Sequence, residues 1–257
     1  MTSLRTIHRL AGPLEDHVVV EEPLEIRVEG KTLAVTMRTP GHDLDLVAGF
    51  LFTEQVIDGA DDLVAMAHVD DPGDPRGNTV DVRLAGGVEA HRARIDRATR
   101  ETYASSACGI CGKASIDRLL LANRRVTPMR VDERVVIALP DRLRTAQVSF
   151  ALSGGLHGAG LFAPDGTLDS CREDVGRHNA VDKVLGVRLR ADTTPVTDRG
   201  LVVSGRVGFE IVQKALVAGI PIIVAVGAPS TMAVDLAAAS GMALYGFVRD
   251  GRFNRYA

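Results

Sequence analysis

The chain has 257 residues, a length that suggests one or two domains with a substantial hydrophobic core. Its composition is 46% hydrophobic and 25% charged with a formal net charge of -3, which excludes a disordered, collagen-like or coiled-coil chain and a general nucleic-acid binder. Its three cysteines are few and odd in number, which argues against a disulfide framework.

No export signal follows the basic residues at the start of the chain, and no apolar run reaches the length of about 18 residues that a transmembrane helix needs. We therefore expect a cytoplasmic protein without a membrane partner, whose thiols stay reduced. Arginine outnumbers lysine by 26 to 4. We interpret this mainly as a compositional bias, although some of these guanidinium groups would suit a polyanionic ligand.

The N-terminal third is predicted to be rich in strands, since it contains short β-branched or alternating runs. These strands are predicted over 18–20, 25–29, 33–38, 63–69 and 79–84. Gly30 and Lys31 lie where a hairpin turn would join the second and third strands. A helix is predicted to begin at Asp43, and the stretch 70–78 is predicted to be an exposed loop because it is polar and contains Pro and Gly.

The stretch 101–113, ETYASSACGICGK, has no helical or strand period and is predicted to be a loop, followed by a helix over 114–123. Charged residues and a proline between 124 and 131 suggest a domain boundary there. We therefore predict a smaller β-rich domain over 1–125 and a larger α/β domain over 126–257.

The C-terminal part alternates between strands and helices. Strands are predicted over 201–204, 221–226 and 243–248, and helices over 209–217 and 231–239. This alternation predicts a parallel-type sheet flanked by helices, so the whole chain is assigned to the α/β class with an α+β N-terminal part. Ligands of such sheets bind at the carboxyl ends of the strands. Those ends carry small or polar residues at 204–206, 227–230 and 249–250.

Cys108 and Cys111 form a CxxC motif among glycines, which is poor core material and suits reactive thiols. The residues alone leave four interpretations open: half of a zinc site, a thioredoxin-like dithiol, a sulfur-handling or redox loop, and two packed thiols. Only Cys171, His157 and His178 could supply the two further ligands of a zinc site. Cys171 by itself is expected simply to pack in the protein.

Several polar stretches of the second half could bind an anion. Glycines surround His157 and would let the backbone approach a ligand closely. The stretch 172–183 contains Arg177 and His178, and we consider it either a solvated charge cluster or a polar wall for a phosphate-rich or pterin-like ligand. Ser204, Gly205 and Arg206 open a helix after a strand, as in many anion sites, but match neither GxGxxG nor a P-loop.

Taken together, these motifs resemble the FdhD family of formate dehydrogenase accessory sulfurtransferases. The matching segments are CGICGK, SGGLHGAG, REDVGRHNAVDKVLG, SGRVGFEIVQKALVAGIP, GAPSTMAVDLA and GFVRDGRFNRY. They occur in this order from about residue 21 to 256, and the segment REDVGRHNAVDK is the most specific of them.

The resemblance implies a cytidine-deaminase-like C-terminal domain, a homodimer and a role in sulfur transfer. A cysteine desulfurase would load a persulfide onto Cys108, with Cys111 as the assisting thiol. The sulfur would pass to a molybdenum or tungsten bis-guanine-dinucleotide cofactor, which formate dehydrogenase then receives. The cofactor-binding stretch would be Phe247, Val248, Arg249, Asp250, Gly251 and Arg252. Guanine nucleotides would be analogues of this ligand.

Two other functions remain open on the residues alone. A cofactor chaperone would bind the metal cofactor without transferring sulfur, and would use the CxxC motif only to hold a partner. A structural or regulatory domain would instead hold zinc on the same cysteines. The HxE and PCxxC signature of the zinc deaminases is missing, so deaminase activity is not expected.

Overall fold

The computed structural model describes residues 1–9, 12–70, 74, 76–105 and 124–257. The strands in this part of the chain are β1 (Thr2–Arg9), β2 (Gly12–Val19), β3 (Glu22–Val28), β4 (Lys31–Arg38), β5 (Leu63–His68), β6 (Thr79–Leu84), β7 (His157–Phe162), β8 (Leu168–Asp174), β9 (Gly200–Val203), β10 (Ile222–Ala225), β11 (Ala243–Arg249) and β12 (Arg252–Arg255). The helices are α1 (Asp43–Thr53), α2 (Gly87–Ser105), α3 (Glu133–Ala146), α4 (Val148–Ser153), α5 (Arg177–Arg190), α6 (Phe209–Val217) and α7 (Thr231–Ser240), with a 3-10 turn at Ala60–Asp62.

A six-stranded sheet forms the C-terminal half, in the order β12-β11-β10-β9-β7-β8. Its centre confirms the predicted parallel arrangement, because β10 pairs in parallel with both β9 and β11. Three antiparallel strands that the sequence did not reveal extend it: β12 beside β11, β7 beside β9, and β8 at the far edge. The glycines of β7 and the charges of β8 hide the alternation that marks a strand.

The N-terminal half contains a four-stranded sheet in the order β4-β3-β6-β5 and a separate β1–β2 hairpin. On β3 the alternation predicted from the sequence is present, with Leu24, Ile26 and Val28 all buried. The predicted helix does begin at Asp43, and it packs one face of this sheet against the C-terminal half.

Three helices, α2, α3 and α4, were missing from the sequence prediction, and one predicted loop is partly wrong. Residues 101–105 are the last turn of α2, a mostly polar helix without a clear apolar stripe. Helix α3 carries Pro140 inside it and covers one face of the six-stranded sheet. The predicted helix 114–123 and both cysteines of the CxxC motif lie outside the described residues.

The main hydrophobic core contains side chains from both halves of the chain, including Leu24 and Val80 on one side and Leu201 and Ile223 on the other. Helices α1 and α5 cross closely at two glycines. A Cβ atom on Gly49 would lie 1.9 Å from the Asp182 carbonyl oxygen, so no larger residue fits. The domain division at residue 125 stays a prediction. Within the described residues, no helix is long and apolar enough to span a bilayer.

Candidate functional site

The loops after β9, β10 and β11 meet at one edge of the six-stranded sheet, as the topology predicts. The Gly227 N–H donates to the Gly205 carbonyl and the Phe247 N–H donates to the Gly227 carbonyl, both at 3.1 Å. Neither glycine can carry a side chain without displacing a neighbour. A Cβ on Gly227 would lie 2.7 Å from the Gly205 oxygen, and a Cβ on Gly205 would lie 3.1 Å from Nδ1 of His157. Bare backbone therefore lines this part of the edge.

The amino end of α5 lies at the same edge, because a Cβ on Gly205 would also lie 3.9 Å from the Arg177 Cβ. The helix begins after Gly176, whose N-cap position makes no side-chain capping bond, and its first turn holds no acidic residue. It holds Arg177 and His178 instead. The first N–H groups of a helix form the positive end of its dipole, and this end repels the basic side chains beside it. An anionic ligand would relieve that repulsion.

Arg177 has a buried hydrogen-bond donor without an acceptor among the described residues. Its Nε atom is buried and makes no hydrogen bond with any residue that the structure describes. A buried donor without an acceptor costs about 1–3 kcal/mol, so natural proteins rarely leave one without a reason. A phosphate oxygen at the amino end of α5 would supply the acceptor.

His157 begins β7 beside this helix end. Burial first, and then the positive charges of Arg177, His178 and Arg206, lower the pKa of its imidazole, while Asp174 acts in the opposite direction. Its position is fixed through Gly158, whose N–H donates to the Ser204 hydroxyl at 2.9 Å and whose carbonyl accepts from the Ser204 N–H at 3.0 Å. Four basic side chains therefore act on the same small region.

One carboxylate faces this cluster. Glu210, in the first turn of α6, lies 2.9 Å from Nε2 of His178, in ion-pair contact but without the alignment of a hydrogen bond. The amino ends of α5 and α6 are thus brought together at the edge.

The turn between β11 and β12 supplies the predicted cofactor-binding stretch. Phe247 and Asp250 both adopt positive φ angles, near 52° and 54°. The Arg249 guanidinium lies 5.5 Å from the centre of the Phe247 ring, and the side chains from 249 to 252 are exposed. Val248 is different, because its side chain is fully buried in a smaller hydrophobic core between helix α3 and the six-stranded sheet, which also contains Leu139 and Val202. Only the backbone of Val248 could face a ligand.

The stretch 172–183 proves to be neither a solvated charge cluster nor wholly a ligand-facing wall, since most of its charged side chains are paired inside the protein. Arg172 binds Asp45 of α1 at 3.0 Å. Glu173 accepts hydrogen bonds from the first N–H groups of α4. Only Arg177 and His178 of this stretch reach the ligand edge. The sequence could not distinguish the two roles, because every one of these residues is polar.

Residues of this stretch take part in two buried ion-pair clusters, and each cluster contacts the N-terminal half: Lys183 donates to the Thr39 carbonyl, and Lys214 contacts Glu54. Lys183 lies 2.7 Å from Asp174, and both side chains are almost completely buried. Lys214 of α6 lies 2.9 Å from Asp182 and 3.1 Å from Glu54. Burial acts against the charged form of Lys214, but the two carboxylates outweigh it and raise the pKa of the ammonium group. Sequence reasoning singled out the stretch that contains Asp174, Asp182 and Lys183 but did not predict these buried pairs, and it did not identify Glu54 or Lys214.

Cys171 packs against the smaller core, as predicted. Burial, with a contribution from Glu173, raises the pKa of its thiol to about 11. Cys171 pairs with Gly160 on β7, whereas His157 pairs with Asp174, three positions further along β8. In the described residues no group of three His, Cys, Asp or Glu side chains is placed to hold a metal ion. That statement does not extend to Cys108 and Cys111.

Comparison with known proteins assigns the family. The sequence model that describes the FdhD/NarQ family matches residues 19–257. Proteins named Sulfur carrier protein FdhD from Streptomyces avermitilis and Anaeromyxobacter dehalogenans are each 49% identical; the alignments cover 94% and 98% of this chain and 87% and 91% of those proteins. A crystal structure of a formate dehydrogenase accessory protein from Desulfotalea psychrophila has the same fold, with a TM-score of 0.75, 24% identity, and coverage of 100% of this chain and 96% of that one. The chain therefore belongs to the FdhD/NarQ family.

Proposed function

We propose that this protein is a sulfur carrier for the maturation of formate dehydrogenase. It accepts sulfur from a cysteine desulfurase on Cys108 and delivers it to a bis-guanine-dinucleotide molybdenum or tungsten cofactor held at the ligand edge. Membership of the FdhD/NarQ family and the names of the relatives support the sulfur-carrier role. The basic ligand edge supports the binding of a phosphorylated compound.

In the first step the Cys108 thiolate attacks the outer sulfur of a persulfide on the desulfurase. A new S–S bond forms on Cys108, the S–S bond of the donor breaks, and the donor cysteine leaves as a thiolate. Cys111 is proposed as the thiol that assists the later release of this sulfur. Both cysteines lie outside the described residues.

The cofactor is the substrate of the second step, and the residues at the edge fit its charged parts. The observation that carries the proposal is the convergence of Arg177, His178, His157 and Arg206 at an uncapped helix end, with a buried Arg177 Nε that lacks an acceptor. Pyrophosphate oxygens are acceptors for such groups. Gly205 and Gly227 let the loops of this edge and His157 pack closely together, and Arg249 and Arg252 add two exposed guanidinium groups nearby.

The sulfur step is tested by incubating the protein with a cysteine desulfurase and cysteine, then measuring cyanide-labile sulfur and the activation of formate dehydrogenase. The wild-type protein should load sulfur and a Cys108→Ala variant should not. Full loading and full activation by Cys108→Ala would rule out the assignment.

The same assay distinguishes a chaperone that binds the cofactor without carrying sulfur. For that function, a variant with both Cys108 and Cys111 changed to Ala would still activate formate dehydrogenase. A zinc-binding domain would instead contain about one zinc ion per chain, lost with either cysteine, by elemental analysis. The homodimer implied by the family resemblance is measured by sedimentation of the same preparation.

A further inference from the structure

We propose that Asp174 is a positioning residue, which fixes the amino end of α5 so that Arg177 and His178 face the phosphate groups of the ligand. This inference rests on the proposed function, because the ligand is taken to be the guanine-nucleotide part of the cofactor. Asp174 itself is completely buried, so it would act through the helix end and not by direct contact with the ligand.

Four donors converge on the two oxygens of the Asp174 carboxylate. Oδ1 accepts from the Gly176 N–H at 2.8 Å and from the Asn179 side-chain amide at 3.0 Å. Oδ2 accepts from the Thr39 N–H at 3.1 Å and lies 2.7 Å from the Lys183 ammonium. The carboxylate thus binds all four partners. One of them is Gly176, the residue that precedes α5.

The other partners connect the helix end to strand β4. The Thr39 hydroxyl accepts from the Val175 N–H at 3.1 Å, and Lys183 also donates to the Thr39 carbonyl at 2.8 Å. The Asn179 amide donates to the Met37 carbonyl at 2.8 Å. The backbone before α5 and its first turn are therefore held from both sides, by the helix itself and by the N-terminal sheet.

Only a carboxylate satisfies this arrangement. An asparagine at 174 has a single oxygen, so its NH₂ group would face either the Gly176 N–H or the Thr39 N–H and the Lys183 ammonium. One set of bonds would be lost and a donor would oppose another donor. The start of α5 would shift or become mobile, and Arg177 would lose the geometry that a bidentate contact with phosphate requires.

Asp182 provides a matched control. It is also buried, it also pairs with a lysine, and it accepts from the Thr53 hydroxyl at 2.8 Å. It lies in the second turn of the same helix, away from the ligand edge. Asp174→Asn and Asp182→Asn both remove one buried carboxylate, but only the first disturbs the amino end of α5.

The test is a calorimetric titration with GDP at a temperature where all variants are folded. Asp174→Asn should raise the GDP Kd about tenfold or more, and Asp182→Asn should leave it within about twofold of the wild-type value. Equal binding by Asp174→Asn and wild type would overturn the inference. An equal loss in both variants would also overturn it, because the effect would then be one of general stability.

Asp174→Asn leaves Lys183 without its carboxylate, so this variant risks unfolding. A double variant, Asp174→Asn with Lys183→Met, removes the buried charges together and should fold. It should still bind GDP about tenfold more weakly than the wild type, because the asparagine cannot accept on both sides. Restoration of wild-type binding in the double variant would contradict the positioning role.

A second readout does not depend on nucleotide and separates this inference from the proposed function. Amide hydrogen exchange over 176–179 should be faster in Asp174→Asn and unchanged in Asp182→Asn. The NMR titration of His157 should move to lower pH in Asp174→Asn only, because a nearby negative charge is lost. If wild type bound no GDP, the proposed ligand would be wrong, while these two measurements would still decide the role of Asp174.

Discussion

Arg177 is the residue on which nucleotide binding should depend most. Its buried Nε has no acceptor among the described residues, and a hydrogen bond to a charged group contributes about 1.5–3 kcal/mol. Arg177→Ala should therefore raise the GDP Kd by about tenfold or more, measured by calorimetry. Arg83→Ala, on an exposed position of β6, is the control and should change nothing. Unchanged binding by Arg177→Ala would contradict the site.

His157 should couple binding to pH. In the free protein, burial and the charges of Arg177, His178 and Arg206 keep the pKa of its imidazole low. A bound diphosphate favours the protonated form, so the pKa rises on binding and a proton is taken up. The affinity of wild type relative to His157→Asn should consequently increase as the pH falls from about 8 to about 6. The ratio cancels the titration of the nucleotide itself, and a constant ratio would refute the coupling.

At the residue scale, the sequence indicated which side chains follow strand ends but not which charges are used inside the protein. His157, Arg177 and Arg206 were predicted as ligand contacts, and the structure brings them together. Asp174 and Lys183 appeared equally polar, yet they are buried partners. Both also bond to Thr39, just after β4 and more than 130 residues earlier in the chain, and no local pattern encodes such a contact.

At the scale of elements, the backbone at the ligand edge should tolerate side chains at some glycines and not at others. A Cβ on Gly227 would lie 2.7 Å from a backbone oxygen, whereas a Cβ on Gly208 would meet nothing within 4 Å. Gly227→Ala should lower both the melting temperature and the GDP affinity, and Gly208→Ala should leave both nearly unchanged. Calorimetry and thermal unfolding of this matched pair check the packing, and equal behaviour of the two variants would contradict it.

The elements predicted correctly are those with a simple pattern. Strands β9, β10 and β11 are largely buried apolar segments, and β3 alternates between buried apolar and outer polar residues. Helix α2 is polar over much of its length, so its last turn was taken for a loop. Strands β7 and β8 contain glycines or charges because they face a helix closely or form internal ion pairs. Such strands are identified only once their neighbours are known.

At the scale of the whole molecule, the two halves should unfold together. Lys214 on α6 contacts Glu54 and Asp182, and so connects α1, α5 and α6 in the interior. Lys214→Met would leave the buried Asp182 carboxylate without its cation and should cost about 3–5 kcal/mol of unfolding free energy. Asp182→Asn combined with Lys214→Met should recover much of that loss.

Differential scanning calorimetry measures this prediction and also tests the domain division at residue 125. One cooperative transition is expected, because the main core contains side chains from both halves. Two separate transitions, with Lys214→Met affecting only one of them, would mean that the halves are energetically independent. The division rested on local charge and one proline, which carry no information about the long-range packing of α1 against α5.

Peptide-resolved mass spectrometry of the desulfurase-treated protein tests the central claim most directly. The account predicts one or more added sulfur atoms on the peptide that contains Cys108, and none on the peptide that contains Cys171. Burial raises the pKa of the Cys171 thiol to about 11, which keeps the reactive thiolate scarce at neutral pH. Cys171→Ala should load sulfur as the wild type does. Added sulfur on Cys171 alone, or no added sulfur on Cys108, would contradict the proposal that this protein is a sulfur carrier.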